Sequence, residues 1–240
     1  MVNLIALSAA NAQRWQQATL TRNFSSVARR LVEVGAKARY LKVEALTGVP
    51  WFVVAVIHER EASQNWNAQL GQGDPLDRIS VHVPAGRGPF KTWESGAFDA
   101  LANCTPHAAH WKDWSAGGAL TLLEQYNGLG YFYRGKPSPY VWSGTDQYVS
   151  GKYVRDGVYD PNVVDAQLGC AGIIKAMMDL DHTITFAGVK ITAGDTRPKP
   201  TDLHEPDNKP NIGKEDPPPS FATAIAALIN FIASIFRRKQ

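Results

Sequence analysis

An unbroken apolar run, Trp51-Phe-Val-Val-Ala-Val-Ile57, passes directly into His58-Glu59-Arg60-Glu61, and a polar, Asn-rich segment carrying Trp66 follows. Few other features constrain a chain so tightly. A helix this apolar belongs in a core, and its carboxylate end carries an acid from dry surroundings to the edge of a cleft. Burial there disfavours the charged form and raises the pKa, which a general acid needs near neutral pH. The pattern points to an enzyme that cuts a polymer, with glycosidases foremost.

Glu61 lies four and seven residues beyond Ile57 and Val54, so it continues a face that is apolar one and two turns earlier. Glu59 points roughly 200° away around the helix. The two acids are therefore not expected to share a cleft, and Glu61 is the stronger catalytic candidate. Glu59 remains an alternative, and a solvated helix end would explain both. A glycosidase usually needs a second carboxylate. Asp74 and Asp77, in the Gly-rich segment after the acid helix, are the candidates, although each also suits a turn or cap.

The chain divides into three parts. Residues 1–194 hold the periodic apolar segments and form the body. Residues 195–219 contain seven of the fifteen prolines and almost no large apolar side chains, which suits a semi-rigid linker. Residues 220–240, SFATAIAALINFIASIFRRKQ, form a cationic hydrophobic helix. Sixteen residues of helix span about 24 Å, short of the roughly 30 Å hydrocarbon core of a bilayer. An interfacial helix that disturbs a membrane fits best, its Arg237-Arg238-Lys239 end meeting anionic or outer-membrane lipid. Docking on the body, an oligomer contact and a tail anchor are the other options.

Within the body, Val27, Leu31, Val34 and Ala38 predict one face of a helix over 24–46, and Thr47-Gly48-Val49-Pro50 ends it and starts the next. Helices are predicted over 51–64, 93–103, 116–126 and 162–180. Between them Ile79, Val81 and Val83 alternate among Gly and Pro, which predicts a small β-hairpin lobe over 71–90. The expected fold is mainly α with that one β excursion. The Met1-Val-Asn-Leu start lacks a charged leader and is read as a helix, so a standard secretory route is not expected.

Composition narrows the function classes. Formal net charge is +3, and the three basic residues near the C-terminus account for it, so the basic face that nucleic-acid binding requires is missing. Cys104 and Cys170 are too few for a disulfide scaffold and are either free thiols or one bridge. The six His show no strong metal spacing, His107 and His110 included, so neither metal nor cofactor is expected. Trp and Tyr are plentiful in the middle third. They serve a core, and they equally suit a sugar cleft, where an aromatic face covers the apolar face of a pyranose.

Two segments carry a resemblance. AVIHEREASQNWNA resembles the catalytic-glutamate helix of the lysozyme superfamily, and LEQYNGLGYFYRGKPSPYVWSGTDQYVSGKYV resembles the Tyr-Asn-Gly segment and Tyr-Val helix of lytic transglycosylases and goose-type lysozymes. Together they cover roughly residues 50–155. The resemblance implies a lysozyme-like fold and a peptidoglycan hydrolase of the endolysin type found in phages and prophages. It makes Glu61 the acid and Asp74 a water-orienting carboxylate. Tyr126 and Asn127 would line the cleft floor, with Tyr148 on a supporting helix and substrate contacts from His82 and Trp66. Ala62 stands where transglycosylases carry Ser, and SVHVPAGRGPF replaces their Gly-Leu-Met-Gln strand, which favours hydrolysis. The expected protein is a monomer made in the cytoplasm without a signal peptide, acting on the cell wall.

Overall fold

The computed structural model describes residues 4–155 and 157–187. The linker and hydrophobic helix expected over 195–240 lie outside the described residues.

Helix α1 (Leu4–Gln17) is followed by α2 (Ser25–Val32) and α3 (Val34–Thr47). The single helix expected over 24–46 is thus two. Glu33 leaves the helical region at φ −53°, ψ 140°, and its carboxylate caps α3 by accepting a 3.0 Å bond from Ala36 N. That break resets the phase of the buried face. Ala36, Tyr40, Val43 and Thr47 turn inward, while Val34 is 83% exposed and Ala38 is also outside.

At the end of α3, Gly48 takes up the left-handed conformation at φ 73°. Pro50 then caps α4 (Trp51–Ala62), and Glu44 Oε2 accepts the Trp51 amide proton at 3.0 Å. The chain turns by 112° between the two helices. Trp51 through His58 are buried on every side, with α2, α3, α6 and α9 packed around them. A helix without a polar face can only be the centre of such a layer, because any exposed side would present apolar surface to water. No single helix among the described residues is long and apolar enough to cross a membrane.

The second half comprises α5 (Trp93–Asn103), a 3-10 turn at Ala108–His110, α6 (Ala116–Tyr126), and the short α7 (Gly130–Tyr133) and α8 (Pro139–Trp142). An antiparallel pair, β1 (Lys152–Arg155) and β2 (Val158–Asp160), precedes α9 (Cys170–Leu180). Thr92 and Ser95 cap α5 reciprocally, and Ser115 caps α6. Both helices therefore begin where the sequence predicts. α6 lies close against α1, since a Cβ on Gly117 would collide with the Ser8 carbonyl oxygen. Buried Asn11 stitches the pair together. Its Nδ2 donates to Thr121 Oγ1 at 3.2 Å, and its Oδ1 accepts from Trp142 Nε1 of α8 at 3.3 Å.

The fold is mainly α, as expected, but two placements need correction. No strand forms in 71–90, where Ile79, Val81 and Val83 are 59%, 72% and 54% exposed. That segment is a loop tied by its own polar groups, and the β pair lies at 152–160 instead. Alternation marks a strand only when one face has a core to cover it, and none covers this one. The helix expected over 162–180 starts only at Cys170, because the preceding carbonyls serve other partners. The Asp165, Ala166 and Gln167 carbonyls accept from the Arg22 guanidinium, and the Val163 carbonyl accepts from Gly151 N.

Candidate active site

Glu61 occupies the last turn of α4. Helix and acid end together because Ser63 and Gln64 adopt the left-handed conformation at φ 50° and 58°. For residues other than glycine this costs stability, so something must hold the turn. Buried His58 does so. Its Nε2 donates to the Asn65 carbonyl at 3.1 Å, which leaves Nδ1 to accept from Tyr40 Oη at 3.0 Å. Burial pushes the imidazole down to about 4, keeping it neutral in this bridging role.

The Glu61 side chain is partly exposed, yet its carboxyl is largely surrounded by protein. Loss of solvation raises its pKa to about 7, against the opposing pull of a Tyr140 hydrogen bond and the Arg60 charge. Tyr140 Oη, on α8, donates to Glu61 Oε1 at 2.7 Å. Tyr126, the last residue of α6, brings a second phenol near enough for the Glu61 charge to raise its pKa, which burial already lifts. The Tyr126 hydroxyl is buried and has no partner among the described residues. A carboxyl pushed up by burial at the end of α4 and an unused hydroxyl at the end of α6 thus lie within electrostatic reach of each other. A buried donor without a partner costs about 1–3 kcal/mol, and a ligand oxygen would relieve that cost.

Arg60 fixes the other side of the acid. Its guanidinium lies 4.5 Å from the Tyr140 ring centre, donates to the Leu168 carbonyl at 3.0 Å and pairs with Asp165 at 3.4 Å. Asp165 also takes Lys152 at 2.7 Å. Both Arg60 and Asp165 are buried, so this network welds the 150–168 segment to the end of α4.

The other predicted residues are distributed as follows. Glu59 faces away from Glu61 and pairs with Arg30 at 3.1 Å, as the 200° separation on the helix requires. Asp74 is buried and fully engaged. Its Oδ2 accepts the Val81 and His82 amide protons at 2.9 and 3.0 Å, and His82 Nδ1 stands 2.6 Å from its Oδ1. Asp74 and His82 thus organise the 71–90 loop together. Asp77 is exposed, 3.9 Å from Arg78. Arg87 joins the loop to α5 through Asp99, with Nε at 2.7 Å from Oδ2. Asn127, the exposed C-cap of α6, stands beside Tyr126.

Trp66 belongs to a separate aromatic group with Tyr40, His58 and Trp93, and the Arg39 guanidinium covers it at 4.1 Å. It borders a surface depression of about 420 Å³, lined also by Arg30, Glu33 and Gln64, that does not include Glu61. Tyr148 lies in a turn rather than on a helix. Its hydroxyl accepts from Asp165 N at 3.1 Å and donates to the Gly151 carbonyl at 3.2 Å. The Tyr-Val pair that reaches the acid is Tyr140-Val141. The sequence did carry a signal for it, since Ser138-Pro139 is a helix start and places Tyr140 on the first turn.

Cys104 and Cys170 are both free and buried. No cluster of three or more potential metal ligands occurs among the described residues, and the His107 and His110 rings stack 5.9 Å apart. The chain matches no protein-family model, no curated protein and no solved structure.

Proposed function

We propose that this chain is a lysozyme-like glycosidase that cleaves the β-1,4 bond between amino sugars of peptidoglycan, with Glu61 as general acid. The observation that carries the reading is Glu61 itself: partly exposed, raised by burial to about 7, oriented by Tyr140 and within electrostatic reach of the unpartnered Tyr126 hydroxyl. Glu61 gives its proton to the glycosidic oxygen as the bond to the anomeric carbon breaks. The sugar passes through an oxocarbenium-like state. In hydrolysis, a water oxygen bonds to that carbon and its proton returns to the Glu61 carboxylate. The product is a reducing sugar end. Residues 220–240, outside the described residues, would bring the enzyme to anionic lipid through their cationic hydrophobic character.

One observation favours a second reading. Asp74 is saturated by three donors, and Asp77 is exposed beside Arg78. Lytic transglycosylation needs no second carboxylate, because the C6 hydroxyl of the same sugar attacks the anomeric carbon, gives its proton to the Glu61 carboxylate and leaves a 1,6-anhydro end. Mass spectrometry of products from purified peptidoglycan separates the two, with Glu61→Gln run alongside. Reducing ends that vanish in the variant support hydrolysis, and anhydro ends support the transglycosylase. Cell-wall binding without soluble product from either protein would make the chain a glycan-binding protein, and lysis that follows residues 220–240 alone would make it membrane-active.

A further inference from the structure

Directly after the Tyr126-Asn127 corner, the chain builds a cluster whose purpose neither the acid nor the core explains. α7 packs on the β pair through Tyr131, Tyr153 and Tyr159, whose rings meet edge to face at 5.1, 5.5 and 6.3 Å. Tyr131 Oη accepts the Tyr153 amide proton at 3.0 Å, and Tyr153 Oη donates to the Gly130 carbonyl at 3.4 Å. Gly130 leaves the space this needs, since a Cβ there would stand 3.1 Å from the Tyr153 ring. The exposed Arg134 is held on this aromatic base. Its Nε donates to Tyr153 Oη at 2.8 Å, and its guanidinium carbon lies 4.6 and 5.3 Å from the Tyr159 and Tyr153 ring centres.

The two terminal nitrogens of Arg134 meet no acceptor and no carboxylate among the described residues, whereas Arg60 and Lys152 are both paired with Asp165. An exposed arginine normally keeps its rotamer freedom. Here Nε and the guanidinium plane are immobilised and the bidentate edge is left open. That edge matches the two oxygens of a carboxylate in spacing and in charge.

We propose that Arg134, held by Tyr153 and Tyr159, is a carboxylate-binding subsite that takes an acidic group of the peptide stems on the glycan. The inference rests on the peptidoglycan reading and names a substrate feature that this chain recognises. A stem anchored there would tie the position of the glycan to its peptide substituents, so that naked glycan binds less well than substituted glycan.

Calorimetry on the full chain tests it, with a soluble disaccharide-peptide whose stem carboxylates are free, the same compound with those carboxylates amidated, and inorganic phosphate. The acidic compound is expected to bind roughly tenfold more tightly than its amidated form, in line with a charge-assisted hydrogen bond. Arg134→Ala should abolish that preference, and Arg134→Lys should restore only part of it, because an ammonium lacks the fork. Equal affinity for the two peptides, a preference that survives Arg134→Ala, or phosphate binding as tight as the acidic peptide would each overturn the assignment. Turnover of a neutral chito-oligosaccharide reads the Glu61 chemistry separately and should not change in Arg134→Ala. Failure of the subsite is thereby distinguishable from failure of the glycosidase reading.

Discussion

Two glutamates in this protein titrate alike and live differently. Burial raises both Glu61 and Glu124 to about 7. Glu61 ends a helix, keeps partial exposure and accepts a directed bond from Tyr140. Glu124 lies in the interior of α6 against α1, only 1% exposed, near Asn11 and Arg14, and its Oε1 has no partner among the described residues. The difference teaches that a perturbed carboxyl is not by itself a catalytic one. Desolvation is the largest cause of the shift in both places, against weaker opposing hydrogen bonds and charges, and access to a ligand is what separates the two carboxyls.

The comparison can be broken most directly by turnover. Glu61→Gln should lower peptidoglycan cleavage by about 10²–10⁴ with the fold intact, whereas Glu124→Gln should leave it within a few-fold. Equal losses in the two variants would dissolve the distinction. In the wild type, activity should fall as pH rises through about 7, because the acid must be protonated to work.

Stability against pH sharpens the other side. Glu124 has a raised folded pKa, so its contribution is fully present below its unfolded value and is lost as pH rises from about 4.5 to about 7. Glu124→Gln removes that loss. Urea denaturation should find the variant more stable than the wild type by about 3 kcal/mol at pH 8 and nearly equal to it at pH 4. A constant difference across that window would show that the buried carboxyl does not titrate.

Asp74 tests whether the loop is scaffold or chemistry. Asp74→Ala strands two amides and His82, and should destabilise the protein by about 1–3 kcal/mol while cleavage, read at a temperature where the variant stays folded, drops less than tenfold. A loss comparable to that of Glu61→Gln would instead give Asp74 a part in the reaction. The smallest effect is expected at Tyr140. Its hydrogen bond lowers the Glu61 pKa, so Tyr140→Phe should move the alkaline limb of the pH-rate profile upward by less than about one unit. A downward movement would contradict the geometry.

Much of the frame was legible in the residues. The apolar run before His58 demands a central helix, and Thr92 and Ser115 mark the starts of α5 and α6 through capping that acts within one turn. The opposite pointing of Glu59 and Glu61 is helical geometry alone. Less legible was the break at Glu33, since an acid that caps a new helix looks in sequence like any acid on a polar face. The 71–90 segment misled for a related reason. Its alternating Ile79, Val81 and Val83 lack a covering layer, and whether a layer exists is decided by residues far away in the chain.

Sequence by itself determined what is local: the dry helix, the acid at its end, and the starts of α5 and α6. These follow from the spacing of side chains within one or two turns. Tertiary structure decided which tyrosine serves the acid. Tyr140 and Tyr148 each precede a valine, but only Tyr140 is carried to Glu61, by the packing of α8, while Tyr148 is turned toward Asp165. It likewise decided that Asp74 is spent on its own loop and that Arg134 is held with an open edge. A hydrogen bond between residues 79 positions apart depends on how the helices pack, and the order of residues along the chain does not encode that directly.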